Sequence, residues 1–188
     1  SIELGAPNYP QFVSDATNAL TGSLATTYLD AANVLTGQHN IPSDGETAGV
    51  AANEYAASVA RLVAQGMADR TAAQVAEIVA RGGALAGSAV FSVGRAASVV
   101  ITETTRAITQ GERWAGALIA RRLGGRMVRR WKTERDADVC PICKPLDGKA
   151  EFGADGFAAT MPEGPPAHPS CRCELIYRFE TPLVGAGV

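Results

Sequence analysis

Apolar residues recur every three or four positions through the first two thirds of the chain, the repeat of α-helices that each bury one side. Pro10 suits a first helical turn. Behind it Phe12, Ala16, Leu20, Leu24, Tyr28, Ala31 and Leu35 form one stripe, with Gly37 as its stop. The run from His39 to Gly45 reads as a connector, and His39 within it as an ordinary solvent-facing residue. Ser43-x-x-Glu46 has capping-box spacing and predicts a second helix with Tyr55, Val59, Leu62, Val63 and Met67 as its stripe. Thr71-x-x-Gln74 repeats that signal and predicts a further helix with Val75, Ile78 and Val79, closed by Gly82-Gly83. A long helix is expected over 89–109, with Val90, Phe91, Val93, Val100, Ile101 and Ile108 as core positions and Gly94 weakening the pattern. A shorter one follows over 112–123, carrying Trp114, Leu118 and Ile119. These stripes are read as core, not as cofactor contacts.

The period changes after Gly124-Gly125. Two glycines cost a continuing helix about 2 kcal/mol relative to alanine, so 126–134 is read as a strand, with Met127, Arg129 and Trp131 on one face. Cys173 to Phe179 alternates in the same way and is rich in β-branched and aromatic residues. The two strands are expected to pair antiparallel, with the segment between them folded over their ends. The fold class is therefore mainly α with a small α+β C-terminal module. A helical region over 1–95 precedes a β-hairpin-like knob over 96–188.

At 188 residues the chain suits one ordinary domain or two small ones. Hydrophobic residues make up 46% and charged residues 19%, a globular rather than disordered balance. Aromatics are scarce and alanine and glycine plentiful, which favours closely packed helices with thin cores. The net charge of -2 gives no global field for nucleic acid. Charge is nevertheless uneven: Arg121, Arg122, Arg126, Arg129, Arg130, Lys132 and Arg135 crowd together. That cluster reads either as a solvated face or as a set of sequence-independent phosphate contacts. The start of the sequence has neither the basic run nor the apolar core of an export signal. The most membrane-like stretch, 84–101, carries Arg95 and many small residues and is expected to be a buried helix rather than a span.

All four cysteines lie between 140 and 173. Cys140-Pro-Ile-Cys143 is followed, 24 residues later, by His168-Pro-Ser-Cys171-Arg-Cys173. Two short turns that each aim soft donors at one point match the needs of a tetrahedral zinc site. The intervening loop is rich in glycine, proline and alanine and buries little on its own, so metal binding would supply its folding energy. Five candidates compete for four positions: Cys140, Cys143, His168 and Cys171 are the first choice, and Cys173 the alternate, because C-x-C chelates one ion less comfortably. Rival chemistries fit less well. A redox C-x-x-C wants a helix behind its first cysteine, and Pro145 opposes one. A catalytic zinc would need an open position and a base, and neither H-E-x-x-H nor a deaminase signature occurs. Cysteines confined to one stretch do not look like a secreted disulfide framework. A structural Zn2+ is the expectation.

The segment from Trp131 through Asp136, Cys140, Cys143 and Gly148, closing on Pro165-Pro166-Ala167-His168-Pro169-Ser170-Cys171-Arg172-Cys173, resembles the phage Mu F-like head morphogenesis family of minor capsid proteins. Thr102-Glu103-Thr104-Thr105-Arg106-Ala107 is similar to that family's T-E-x-x-R-A helix, so the resemblance spans 102–179. It implies a non-enzymatic virion protein of a tailed phage, placed in the capsid interior near the portal and present in host cytoplasm during assembly. It implies the portal protein as partner, with the major capsid protein and packaged DNA as further candidates, and a role in head assembly or genome delivery. The alternative reading is a DNA-binding packaging or ejection factor working through the basic cluster. A third is an ADP-ribosyltransferase-like remnant, with Glu103 as its candidate residue, but no catalytic carboxylate pair accompanies a nucleotide-binding signature.

Overall fold

The computed structural model describes residues 8–82 and 92–181. Among them are three long helices and a two-stranded antiparallel sheet: α1 (Tyr9–Gln38), α2 (Gly45–Ala80), α3 (Val93–Leu123), β1 (Arg126–Lys132) and β2 (Glu174–Glu180). The mainly helical class and the paired strands therefore stand as expected. The positions Val90 and Phe91, the first seven residues and the segment after Thr181 lie outside the described residues. No described helix is long and apolar enough to cross a membrane.

The helix starts follow local chemistry. The Asn8 side chain accepts the Gln11 N–H at 3.1 Å, with Pro10 in the first turn. Asp44, not Ser43, caps α2 by accepting from Thr47, and Ser43 instead donates to Asn33. Ser92 caps α3, and Gly124 ends it in the left-handed conformation (φ 67°), which a glycine adopts without a Cβ penalty.

Four expectations about the helices need correction. Val93, Val100, Ile101 and Ile108, expected as core, are exposed, because α3 turns its small residues Ala107, Gly111 and Ala115 inward. Thr71 starts no new helix: α2 runs unbroken to Ala80, and the Thr71 hydroxyl folds back onto the Met67 carbonyl at 2.7 Å. The two helices placed over 89–109 and 112–123 are one, and Gly111 sits in its middle. The core face of α2 is centred on alanines and not on its aliphatic stripe, of which Tyr55 and Val59 pack at the edge of the core. Ala48, Ala52, Ala56, Ala60, Ala64 and Ala68 are the buried residues, whereas Leu62 is 73% exposed. Alanines every four positions let α1 approach closely, and dispersion over that long contact outweighs burial of a few larger side chains.

The helical core joins Leu24, Ala25 and Tyr28 of α1 to Ala52, Ala56 and Ala60 of α2 and Ala107 of α3, with Trp114 alongside. A second cluster, with Ala32, Leu35, Ala115 and Ile119, carries the helices onto Met127, Tyr177 and Phe179 of the sheet. Register pairs Met127 with Phe179, Arg129 with Tyr177 and Trp131 with Leu175. That inward face is the one expected from the alternation, and Trp131 is almost fully buried on it.

The segment between the strands does more than cover their ends. It runs back along the free edge of β1. Gly148 N–H donates to the Trp131 carbonyl, Trp131 N–H to Lys149, and Glu151 N–H to Arg129, at 2.8–2.9 Å. A third, short antiparallel partner so protects an edge that would otherwise be open.

Candidate metal centre

The first turn places Cys140 and Cys143 by hydrogen bonds from the backbone of Cys143 and Lys144 to the Cys140 carbonyl, after which Lys144–Leu146 forms one 3-10 turn. Pro145 sits in that turn, and no α-helix follows the C-x-x-C, as its sequence indicated. The second turn is closed by Cys171 N–H on the His168 carbonyl at 3.2 Å, with Ser170 in the left-handed region (φ 59°).

The two turns meet. His168 Nε2 lies 3.0 Å from Cys140 Sγ and 3.2 Å from Cys143 Sγ. Cys143 Sγ lies 3.8 Å from Cys171 Sγ. All four cysteines are free thiols, and that separation is far beyond the about 2 Å of a disulfide bond. The donor atoms form two triads that share Cys143: Cys140, Cys143 and His168 on one side, Cys143, Cys171 and Cys173 on the other. Cys173, the alternate in the sequence reading, thus stands beside two of the first-choice ligands.

The donor set fits zinc chemistry. Zn–S bonds of about 2.3 Å in a tetrahedron put neighbouring sulfurs about 3.8 Å apart, the separation between Cys143 and Cys171. Thiolates and imidazole select a borderline-soft ion over Mg2+ or Ca2+. His168 Nδ1 lies 2.7 Å from the Pro169 carbonyl, which can only accept, so the proton sits on Nδ1 and the Nε2 lone pair faces the sulfurs.

N–H donors surround the sulfurs. Burial works upward on the Cys140 thiol, but N–H groups of Cys143 and Ile142 outweigh it and hold the pKa below its ordinary value. Cys171 falls to about 5, chiefly because the Cys173 thiol donates to it. Burial raises Cys143 to about 12. Cys173 also goes up, because it donates to Cys171 and is buried, while the indole N–H of Trp131 pulls the other way. That N–H has no other partner. Trp131 also meets Phe157 edge to face, at 5.5 Å between ring centres, and the two rings wall the sulfurs in.

α3 holds the second turn from outside. The Thr102 hydroxyl accepts the Ser170 N–H at 2.9 Å, Thr105 donates to the Cys171 carbonyl at 3.1 Å, and the hydroxyls of Ser98 and Ser170 meet at 2.8 Å. These clamping residues were not singled out as site residues in the sequence. Their signal was three hydroxyls at 98, 102 and 105, one helix face at i, i+4 and i+7. Glu103 is buried against Arg106 (3.1 Å), and Ala107 is core. The Thr102–Ala107 motif thus reads as a docking face.

The basic cluster is spread over the sheet and the end of α3. Arg126 pairs with Glu180, Arg129 with Glu151, Lys132 with Glu174 and Arg135 with Asp147. Arg129 and Glu151 are buried together. Arg130 donates to the Gly148 carbonyl, and Arg121 and Arg122 occupy the last turn of α3, where cations complement the helix dipole. His39 follows α1 and belongs to no metal-binding group among the described residues.

No curated protein and no solved structure matches the chain. A family model described as Phage Mu protein F like protein matches residues 43–176, which take in α2, α3, both cysteine turns and most of the sheet.

Proposed function

This chain belongs to the phage Mu protein F-like family, and from that premise we propose that it is a minor head protein of a tailed bacteriophage, acting in head morphogenesis as part of the virion. Its place is the capsid interior beside the portal protein, with contacts to the major capsid protein, and its work is head assembly or genome delivery without catalysis. The observation that carries this reading is the family match across both the helices and the cysteine turns. One feature supports a structural role: the two most buried carboxylates among the described residues, Glu103 and Glu151, are each engaged by an arginine.

Four of Cys140, Cys143, His168, Cys171 and Cys173 would hold one Zn2+. A bound ion neutralises the thiolates and cross-links the two turns; no substrate position is needed. The chain's own part is to aim the sulfurs by N–H donors, fix the imidazole through Pro169 and anchor the second turn on α3.

Two measurements test this. Metal analysis of the purified full chain is expected to give close to one zinc per chain; a chain that folds with none overturns the staple. A cryo-electron map of the intact particle is expected to show the chain at the portal vertex. Density spread evenly over the shell would rule out portal association.

A further inference from the structure

α1 packs along both α2 and α3, but α2 and α3 do not pack substantially on each other. Between them lies a groove of about 820 Å³, closed at one end by Pro166–Pro169 beside the metal centre. Val59, Leu62, Val63 and Val99 line it. Three of these belong to the aliphatic stripe that the sequence marks as the core face of α2; Val59 also packs against the edge of the helical core, while Leu62 is left in the groove because the alanine face is the one packed on α1. α2 is therefore apolar on two sides, and among the described residues only one of them is packed against a helix.

The charge on this groove is net positive. Arg70, Arg95 and Arg106 line it against a single carboxylate, Glu103, in a chain whose net charge is -2. The Arg70 guanidinium lies back along α2 over Gly66, where the missing side chain lowers the wall. No Phe, Tyr or Trp ring lines the groove for a base to stack on, and its one imidazole, His168, belongs to the candidate metal centre.

We propose that this groove is the docking site for an amphipathic helix of another head protein, one with aliphatic residues on its inner face and carboxylates beside them. The occupant completes a four-helix arrangement, the packing that two helices diverging from a common third leave open. Its carboxylates meet the net positive charge of the groove, Arg70 foremost, since Arg106 already pairs with Glu103 and Arg95 donates to Gln74, and its aliphatic face covers Leu62. The inference rests on the head-protein reading above and adds the chemistry of the partner segment.

The test places a photo-cross-linking phenylalanine derivative at Leu62 of the full chain in assembling heads, with the same probe at Val34, an exposed α1 residue outside the groove, as control. The expected result is one discrete adduct from position 62 alone, to an acid-rich helical segment. Arg70→Glu should lower its yield about tenfold, the size of one lost charge contact. Both positions are exposed, so unchanged melting temperatures confirm that the variants fold. An adduct to DNA, to a second copy of this chain or to a basic segment overturns the proposal, as does equal yield from both positions or no effect of Arg70→Glu. An acidic helix from a head protein other than the portal upholds the groove and sinks the portal assignment. Portal binding that persists with no adduct at position 62 does the reverse.

Discussion

Gly111 faces the backbone of Tyr28 across the contact of α1 and α3. A Cβ there would overlap the Tyr28 carbonyl group, whose carbon would lie only 3.0 Å away. Because the obstacle is backbone, it cannot rotate aside. Gly111→Ala is expected to cost about 3 kcal/mol in urea unfolding, an overpacking penalty at its upper end; a loss below about 0.5 kcal/mol would mean that the helices do not touch there. The sequence made this glycine look like a boundary, because a glycine needed for close approach and one that ends a helix look alike along the chain. Its neighbour Glu112 makes a second prediction. Burial, then the negative charge of Glu174, pushes the Glu112 carboxyl up from 4.5 to about 7. The folded chain thus holds a proton that the unfolded chain releases. The stabilisation is whole below about pH 4.5 and is lost as pH rises through about 7, a decline on the order of 3 kcal/mol. Glu112→Gln should remove that decline in denaturation curves taken from about pH 5 to about pH 8; a variant with the same slope as the native chain would contradict it.

At the scale of elements, the two cysteine turns were the most legible part of the sequence, since residue type and spacing are local facts. The strands were legible too: alternation and the glycine pair at 124–125 state where the period changes. The packing face of α2 was not. Two apolar stripes run along it, and the choice between them depends on α1, which lies across the tertiary contact. The clamp on the second turn escaped for the same reason, because Thr102 and Thr105 find their partners some seventy residues away. Removing metal with a chelator is expected to raise amide exchange across 140–173 sharply while helical circular dichroism holds, and Cys171→Ser should do the same; unchanged exchange would show that the turns hold without an ion. Replacing Thr102 and Thr105 together by valine should loosen the second turn by about 1 kcal/mol per lost hydrogen bond, with zinc content retained. Exchange at 168–173 indistinguishable from the native chain would show that α3 does not anchor this turn.

For the whole molecule, the distribution of charge limits what the chain can do to DNA. Of the seven clustered cations, four are matched with carboxylates, leaving Arg121, Arg122 and Arg130. Any affinity for duplex DNA should fall with salt along a log–log slope no steeper than about -3, the value for three phosphates. A slope near -6 would show that the pairs open on binding. The helices and the cysteine-bearing module meet through one sheet face and through α3, so disturbing either should be felt at the other. Lys132 and Glu174, the residues on either side of the cysteine-bearing excursion, are direct cross-strand partners. The excursion therefore leaves and rejoins the scaffold at a single point. Lengthening its outer stretch, at the exposed Ala154 and Asp155, would demand nothing of the helices beyond a slowly growing closure entropy, which makes this stretch the natural place to splice in foreign peptide while the helical frame stays intact.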